Sequence, residues 1–230
     1  MLDVYAVKLD KNINKEKLYT LLASVSDEKR ERISRFYKSE DALRTLLGDI
    51  LARYIICKKL TIKNHEIKFR INKYGKPFII NFDHTHFNIS HSGDWIVGCC
   101  GTSSMGIDIE RIEAIDINIA KQFFSSKEYN TLQLKSPLKQ ECFFYELWTL
   151  KESYIKAIGQ GLSIPLDSFT INFDENRIDN LNSSNSNTYY FKQYDIDKTY
   201  KMALCATEHK LPDSVKIIST HQLYEEFMLF

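Results

Sequence analysis

Polar and apolar residues alternate through LDVYAVKL (2–9), and that period of two predicts a first strand. Ser26 stands before DEKRERISRFYK, and Ser39 before EDALRTLLGDILARYIICKKL; each fits a helix N-cap. In the second run Leu43, Leu46, Leu47, Ile50, Leu51, Tyr54 and Ile55 keep a helical period, which predicts the central helix of the first half. Strand-like pieces follow at EIKFRI, PFII, HFNIS, DWIVGCC and MGIDIE. YGKP (74–77) and SGD (92–94) carry turn residues.

The pattern then repeats its kind from about Gly106. Ser125 and Glu128 fit a capping box, and Ser136 before Pro137 fits an N-cap and first helical position. The helix through LKQECFFYELWTLKESYIKAIG should stop near Gly159 or Gly161. Strands are expected at SFTINF, TYYFKQYDI, YKMALCAT and VKIIST, with the Asn/Ser-rich DENRIDNLNSSNSN as a surface loop. The expectation is an α+β chain of two similar halves, 1–104 and 105–230. Their junction is a natural place for a ligand.

Composition narrows the function. A net charge of +1 argues against general nucleic-acid binding. No apolar run is long enough to span a membrane, and the first residues lack a signal-peptide core. Five cysteines, an odd number without C-x-x-C spacing, read as reduced thiols of a cytosolic protein and argue against zinc.

MGIDIERI (105–112) carries the sharpest question. On a strand Asp108 and Glu110 share one face while Ile107 and Ile109 take the other. Two carboxylates that close repel unless a cation neutralises them, and magnesium is a cation that takes one or two carboxylates and leaves room for phosphate oxygens. Two solvated acids on an exposed strand is the alternative. In WTLKESYIK (148–156), Trp148, Lys151, Glu152 and Lys156 fall within a helical arc of about 140°. That face suits a metal–phosphate site, or else carries an ordinary Glu152–Lys156 surface pair. In FNISHSGDW (87–95), adjacent Ser90 and His91 point to opposite faces, which is poor geometry for a nucleophilic pair. His91 could donate to a phosphate or be a structural histidine. Lys29, Arg30, Arg32, Arg35, Lys38 and Arg44 form a basic cluster interleaved with acids, usually just a solvated face. Arg44, however, interrupts a packing helix and could grip a phosphate with its planar fork, with Lys76 of YGKP joining it.

Taken together and in order, EDALRTLLGD, YGKP, FNISHSG, GIDIE, FFSSKEY, LWTLKESYIK and GLSIPLDSF resemble the surfactin-type (Sfp-type) 4′-phosphopantetheinyl transferases, over about residues 1–207. The resemblance implies two α+β halves related by a pseudo-twofold, with coenzyme A in the cleft between them. It implies magnesium-dependent transfer of phosphopantetheine to a serine hydroxyl of an apo carrier protein, with release of adenosine 3′,5′-bisphosphate. Metal ligands would fall on Asp108, Glu110 and Glu152. Contacts to the 3′-phosphate would fall on Lys29, Arg32, Arg44 and His91, and other coenzyme contacts on Thr45, Lys76, Pro77, Ser90 and Lys156. Arg32 departs from the family's lysine but keeps the charge. Lys156 would stabilise the pyrophosphate; the base would be Glu152 first, then Glu110, then Glu128. A monomer is implied, since the internal pair of halves replaces a dimer.

Carrier docking is expected on residues 115–129, through Ile117, Ala120, Phe123 and Phe124 with Lys121 and Lys127 at the rim, unless those phenylalanines are core. Two rivals remain at this point. A magnesium-dependent pyrophosphate hydrolase would need no acceptor protein, and a non-catalytic coenzyme A or carrier-binding module would bind without turnover.

Overall fold

The computed structural model describes residues 2–80, 82–172, 177–180 and 188–230. In chain order the first part carries β1 (Asp3–Lys8), α1 (Lys15–Ala23), α2 (Asp27–Ser34), α3 (Ser39–Leu60), β2 (Phe69–Ile71), β3 (Pro77–Ile79), β4 (His86–Ser92) and β5 (Trp95–Gly101). The remainder carries β6 (Met105–Arg111), α4 (Ala120–Phe123), α5 (Ser126–Gln133), α6 (Pro137–Ile158), β7 (Phe169–Asn172), β8 (Arg177–Asn180), β9 (Tyr190–Gln193), β10 (Tyr200–Ala206), β11 (Lys216–Ser219) and α7 (Thr220–Phe227).

Local chemistry explains most boundaries. Ser26 Oγ accepts the Lys29 N–H and opens α2. Ser125 and Glu128 close a full capping box on α5. Pro137 starts α6, and Gly159 ends it in the left-handed region at φ 75°. Helix α3 differs from expectation: Lys38 is its N-cap, without a side-chain hydrogen bond, and Ser39 is already helical.

Each half sets one 22-residue helix on a sheet, mixed in the first half and antiparallel in the second. The first sheet has the order β11-β1-β5-β4 and the second β6-β10-β9. Strand alternation assigns the layers. Tyr5, Val7, Ile96 and Cys100 face α3, where they pack with Leu47, Ile50, Leu51 and Tyr54. Val4, Ala6, Val97 and Cys99 face the other way and pack with Ile107, Ile109, Met202 and Leu204 of the second sheet. Ala203 and Cys205 turn outward to Leu147, Leu150 and Tyr154 of α6. The result is helix, sheet, sheet, helix. Each fully buried aliphatic or aromatic side chain contributes about 1.5–3 kcal/mol, and the central layer ties the two halves together.

Two features depart from the sequence reading. Strand β11 and helix α7 lie within the 105–230 span, yet β11 pairs parallel with β1, and Leu223 and Phe227 enter the α3 core. Residues 177–180, expected as loop, form β8 against β7. Residues 174–176 and 181–187 of that expected loop, and Phe173 at the end of the expected strand SFTINF, lie outside the described residues.

Candidate functional site

The edge strand β4 meets β6 through side chains. Asn88, Ser90 and Ser92 project at a period of two. Asn88 Oδ1 accepts the Ile107 N–H at 2.9 Å, Ser90 Oγ donates to Asp108 Oδ1 at 2.8 Å, and Ser92 Oγ donates to Glu110 Oε2 at 2.7 Å. Ser92 Oγ also accepts the Arg111 N–H at 3.1 Å. The motif FNISHSG is therefore a polar seam between the halves, and it holds the two acids of GIDIE in place. Asn88 and Ser92 were missed as site residues, although their alternation with Ser90 was legible.

Asp108 and Glu110 do share a face, the one toward α6. Helix α6 approaches this strand backbone to backbone: a Cβ on Gly106 would meet Ser153 O at 2.2 Å and Ala157 N at 2.4 Å. Lys156 thereby reaches across, with Nζ 2.6 Å from Asp108 Oδ1 and 2.9 Å from Ser90 Oγ. Asp108 is 2% exposed, and its Oδ2 is buried with no hydrogen-bond partner. Glu110 is pushed up to about 7 by burial and by the Asp108 charge. Glu152 is raised for the same two reasons. Among the described residues no three His, Cys, Asp or Glu side chains form a ready-made metal cage. The donor set still fits magnesium. It is all hard oxygen, the Asp108 Oδ2 is unpartnered, and burial together with the Asp108 charge raises both glutamates; magnesium commonly keeps several waters and substrate oxygens rather than a full protein cage.

His91 lies on the opposite face of β4, toward α3. Its residue is exposed at the surface, but partial desolvation of its ring and the nearby Lys156 and Arg44 charges hold its pKa below the usual imidazole value, which favours the neutral ring. Arg44 donates to Gly93 O at 2.9 Å and pairs with Asp41. Thr45 is half-buried beside it on α3. Thus Ser90 and His91, on opposite faces, link an acidic corner to a basic one. Lys29 instead pairs with Asp49 at 3.2 Å, and Arg32 is exposed on α2. Neither contacts Arg44 or His91 among the described interactions.

Lys76 is placed differently from the phosphate contact first considered. Its ammonium donates to Lys156 O at 2.5 Å, Met105 O at 3.1 Å and Ala157 O at 3.3 Å. Burial lowers its pKa. Its neighbour Pro77 is exposed and, with Asn72, Phe78, His86, Ala157 and Gly159, lines a cleft of ≈280 Å³ between the halves. Asp108 and Glu110 do not line that cleft.

Three further expectations are corrected. Lys151 does not join the site face; it is 0% exposed, paired with Glu128 at 2.8 Å and bonded to Leu166 O and Phe169 O. It sits at one margin of the helical arc, and the aromatic core of the second half takes that margin. Glu128 is consequently no base: both of its oxygens are used, by Ser125 N, Ile171 N and Lys151. Phe124 is 2% exposed and Ala120 is 0% exposed, so they are core rather than docking contacts. Phe123 is half-buried against Trp148, with ring centroids 5.3 Å apart.

Residues 104–205 match a family model described as the 4′-phosphopantetheinyl transferase superfamily. Residues 12–103 match one described as 4′-phosphopantetheinyl transferase, N-terminal. The chain is 41% identical over 221 residues to the 4′-phosphopantetheinyl transferase ffp of Bacillus subtilis, covering 96% of this chain and 99% of that one. It is 40% identical over 221 residues to the transferase Sfp of Bacillus subtilis (strain 168), with the same coverage of 96% and 99%. It is 41% identical over 206 residues to the transferase gsp of Aneurinibacillus migulanus, covering 90% of this chain and 86% of that one.

Proposed function

The chain belongs to the Sfp-type 4′-phosphopantetheinyl transferases, and from that premise we propose that it uses coenzyme A and magnesium to prime apo carrier proteins. The serine Oγ of the carrier attacks the β-phosphorus of coenzyme A. The bond from that phosphorus to the bridging oxygen breaks, adenosine 3′,5′-bisphosphate leaves, and the serine proton passes to an enzyme carboxylate.

The carrying observation is the triangle of Asp108, Ser90 and Lys156 beside the Arg44–His91 corner. Phosphoryl transfer needs positioning and charge stabilisation more than covalent chemistry, and this strip offers both. Arg44 and His91 suit the 3′-phosphate, and Thr45 and Pro77 suit neighbouring coenzyme contacts. Lys156 and Ser90 suit the pyrophosphate. Lys29 and Arg32 are retained as outer 3′-phosphate contacts; Lys29 would have to leave Asp49 to serve.

Asp108, Glu110 and Glu152 would hold the magnesium. When bound, the metal would neutralise charge on the pyrophosphate oxygens. Glu152 is the first choice of base. It accepts no hydrogen bond among the described residues, whereas Ser92 engages Glu110. The nucleophile comes from the partner, so no activated enzyme serine is needed.

The test incubates the protein with coenzyme A, magnesium and an apo carrier protein. The expected result is a pantetheinyl mass addition on the carrier and equimolar adenosine 3′,5′-bisphosphate. Pyrophosphate cleavage without addition would indicate a hydrolase, and coenzyme binding without turnover a binding module.

A further inference from the structure

We infer that Lys76 is a positioning residue whose ammonium caps the C-terminus of α6 from the other half of the molecule and so fixes Lys156 on Asp108. The inference rests on the transferase reading for its kinetic consequence, but not for its structural one.

Helix ends leave carbonyls without intrahelical partners, and a buried carbonyl needs a donor. At the end of α6 the donors are imported. Lys76 Nζ serves Lys156 O and Ala157 O, Ser104 Oγ donates to Ala157 O at 2.7 Å, and Asn72 Nδ2 donates to Gly159 O at 2.8 Å. Lys76 and Asn72 both belong to the turn between β2 and β3. That turn is itself rigid, because Asn72 Oδ1 accepts the Tyr74 and Lys76 N–H groups at 2.9 Å each. A cation at a helix C-terminus also interacts favourably with the partial negative charge there. The stem of Lys76 packs over Gly159, where a Cβ would meet Lys76 Cδ at 2.7 Å.

The third acceptor gives the clamp its functional reach. Met105 O opens β6, three residues before Asp108. One ammonium therefore holds the start of the strand that carries Asp108 and the end of the helix that carries Lys156. Gly106 lets those two elements touch without intervening side chains, so a small slide of α6 moves the Lys156 ammonium relative to Asp108 directly. With its three donors spent on main-chain carbonyls, Lys76 is poorly placed to neutralise a phosphate as well.

The experiment compares wild type with Lys76→Met, which keeps the stem and removes the donors. Amide hydrogen exchange at 156–160 should accelerate at least tenfold, with the middle of α6 unchanged. In the transfer assay kcat should fall on the order of ten- to a hundredfold, the scale of a misplaced catalytic group, with the KM for coenzyme A little changed. In a Lys156→Ala background the same substitution should add almost nothing, because its effect runs through Lys156. Lys76→Arg should recover part of kcat. A raised coenzyme A KM at unchanged kcat, or a full additive loss in the Lys156→Ala background, would overturn the inference, as would unchanged exchange at 156–160. If Lys76→Met does not fold, Asn72→Ala, which removes the Gly159 contact and loosens the same turn, carries the same readouts. Failure of wild type to modify any carrier would instead defeat the transferase reading, and the exchange measurement would still decide the clamp.

Discussion

The Lys156 ammonium on α6 lies 2.6 Å from the Asp108 carboxylate on β6, and this contact bridges the two elements that carry the acidic corner. It satisfies only one of the two carboxylate oxygens. Oδ2 points into buried space without a donor, which is how an acid that also serves a metal would be expected to stand. Asp108→Asn should therefore lower transfer on the order of 10²–10³-fold, the usual scale for removing one charge-stabilising group. The fold should hold, because Lys156 is 27% exposed and can turn to water. Single-turnover kinetics and circular dichroism check the two halves of this expectation. Near-normal magnesium-dependent turnover would show that Asp108 is no metal ligand.

Arg44 offers a cleaner test of ligand assignment. Its side chain is held by Gly93 O and Asp41 at the basic corner. Arg44→Ala should weaken coenzyme A by about ten- to a hundredfold, corresponding to a charge-assisted contact of roughly 1.5–3 kcal/mol. Dephospho-coenzyme A, which lacks the 3′-phosphate, should lose far less. Calorimetric titration of both ligands makes the comparison, and equal losses would remove Arg44 from the 3′-phosphate.

Long periodic elements and strong caps were legible in the chain. The runs behind α3 and α6, the Ser125–Glu128 box and the Asp108/Glu110 face needed only local rules. What was missed depends on distant partners. Helix α1 opens at Asn14 on a weakly patterned run, and α7 is short; each becomes helical against a core that local sequence does not reveal. Strand β11 was seen as a strand, but its parallel pairing with β1 joins residues more than 200 apart. The helical arc also could not tell which margin of WTLKESYIK faced β6. Glu152 and Lys156 face the site, while Lys151 is drawn to Glu128 inside the aromatic core. Lys76 was recognised as a turn cation, but its acceptors come from another half of the molecule.

The C-terminal helix predicts a pH response. Glu226 Oε2 accepts from Tyr54 Oη at 2.5 Å and Lys58 Nζ at 3.0 Å, and Oε1 from Gln222 at 2.7 Å. These bonds lower its pKa to about 2, from 4.5 for a free glutamate. A depressed carboxylate contributes stability that is present above the unfolded pKa and lost as pH falls through the folded one. With Glu226 half-exposed, the contribution is only about 1–2 kcal/mol after allowance for solvent screening. Glu226→Gln should thus be less stable than wild type at pH 7, and the gap should close between about pH 4.5 and pH 2. Urea unfolding across that range measures it; a gap independent of pH would mean that packing of α7, not the charge, is responsible.

The segment 115–129 separates packing from recognition. Phe124 is 2% exposed and lies 5.1 Å from the Phe144 ring, within the core that α6 shares with β7 and β9. Truncating such a ring removes buried area and leaves a cavity, so Phe124→Ala should cost about 3–5 kcal/mol. For a chain of this size that lowers Tm by roughly 10 °C. Assayed well below its new Tm, the variant should keep its KM for the carrier. Lys121 and Lys127 are different: both are exposed, and neither supports the core. Lys121→Glu should leave stability within about 0.5 kcal/mol of wild type. If this segment is the docking rim, the substitution should raise the carrier KM in a salt-sensitive way, with coenzyme A affinity unchanged. Thermal unfolding and steady-state kinetics at two ionic strengths resolve the pair. A carrier KM indifferent to both substitutions would move the docking surface away from 115–129, and a raised KM for Phe124→Ala at unchanged Tm would contradict its place in the core.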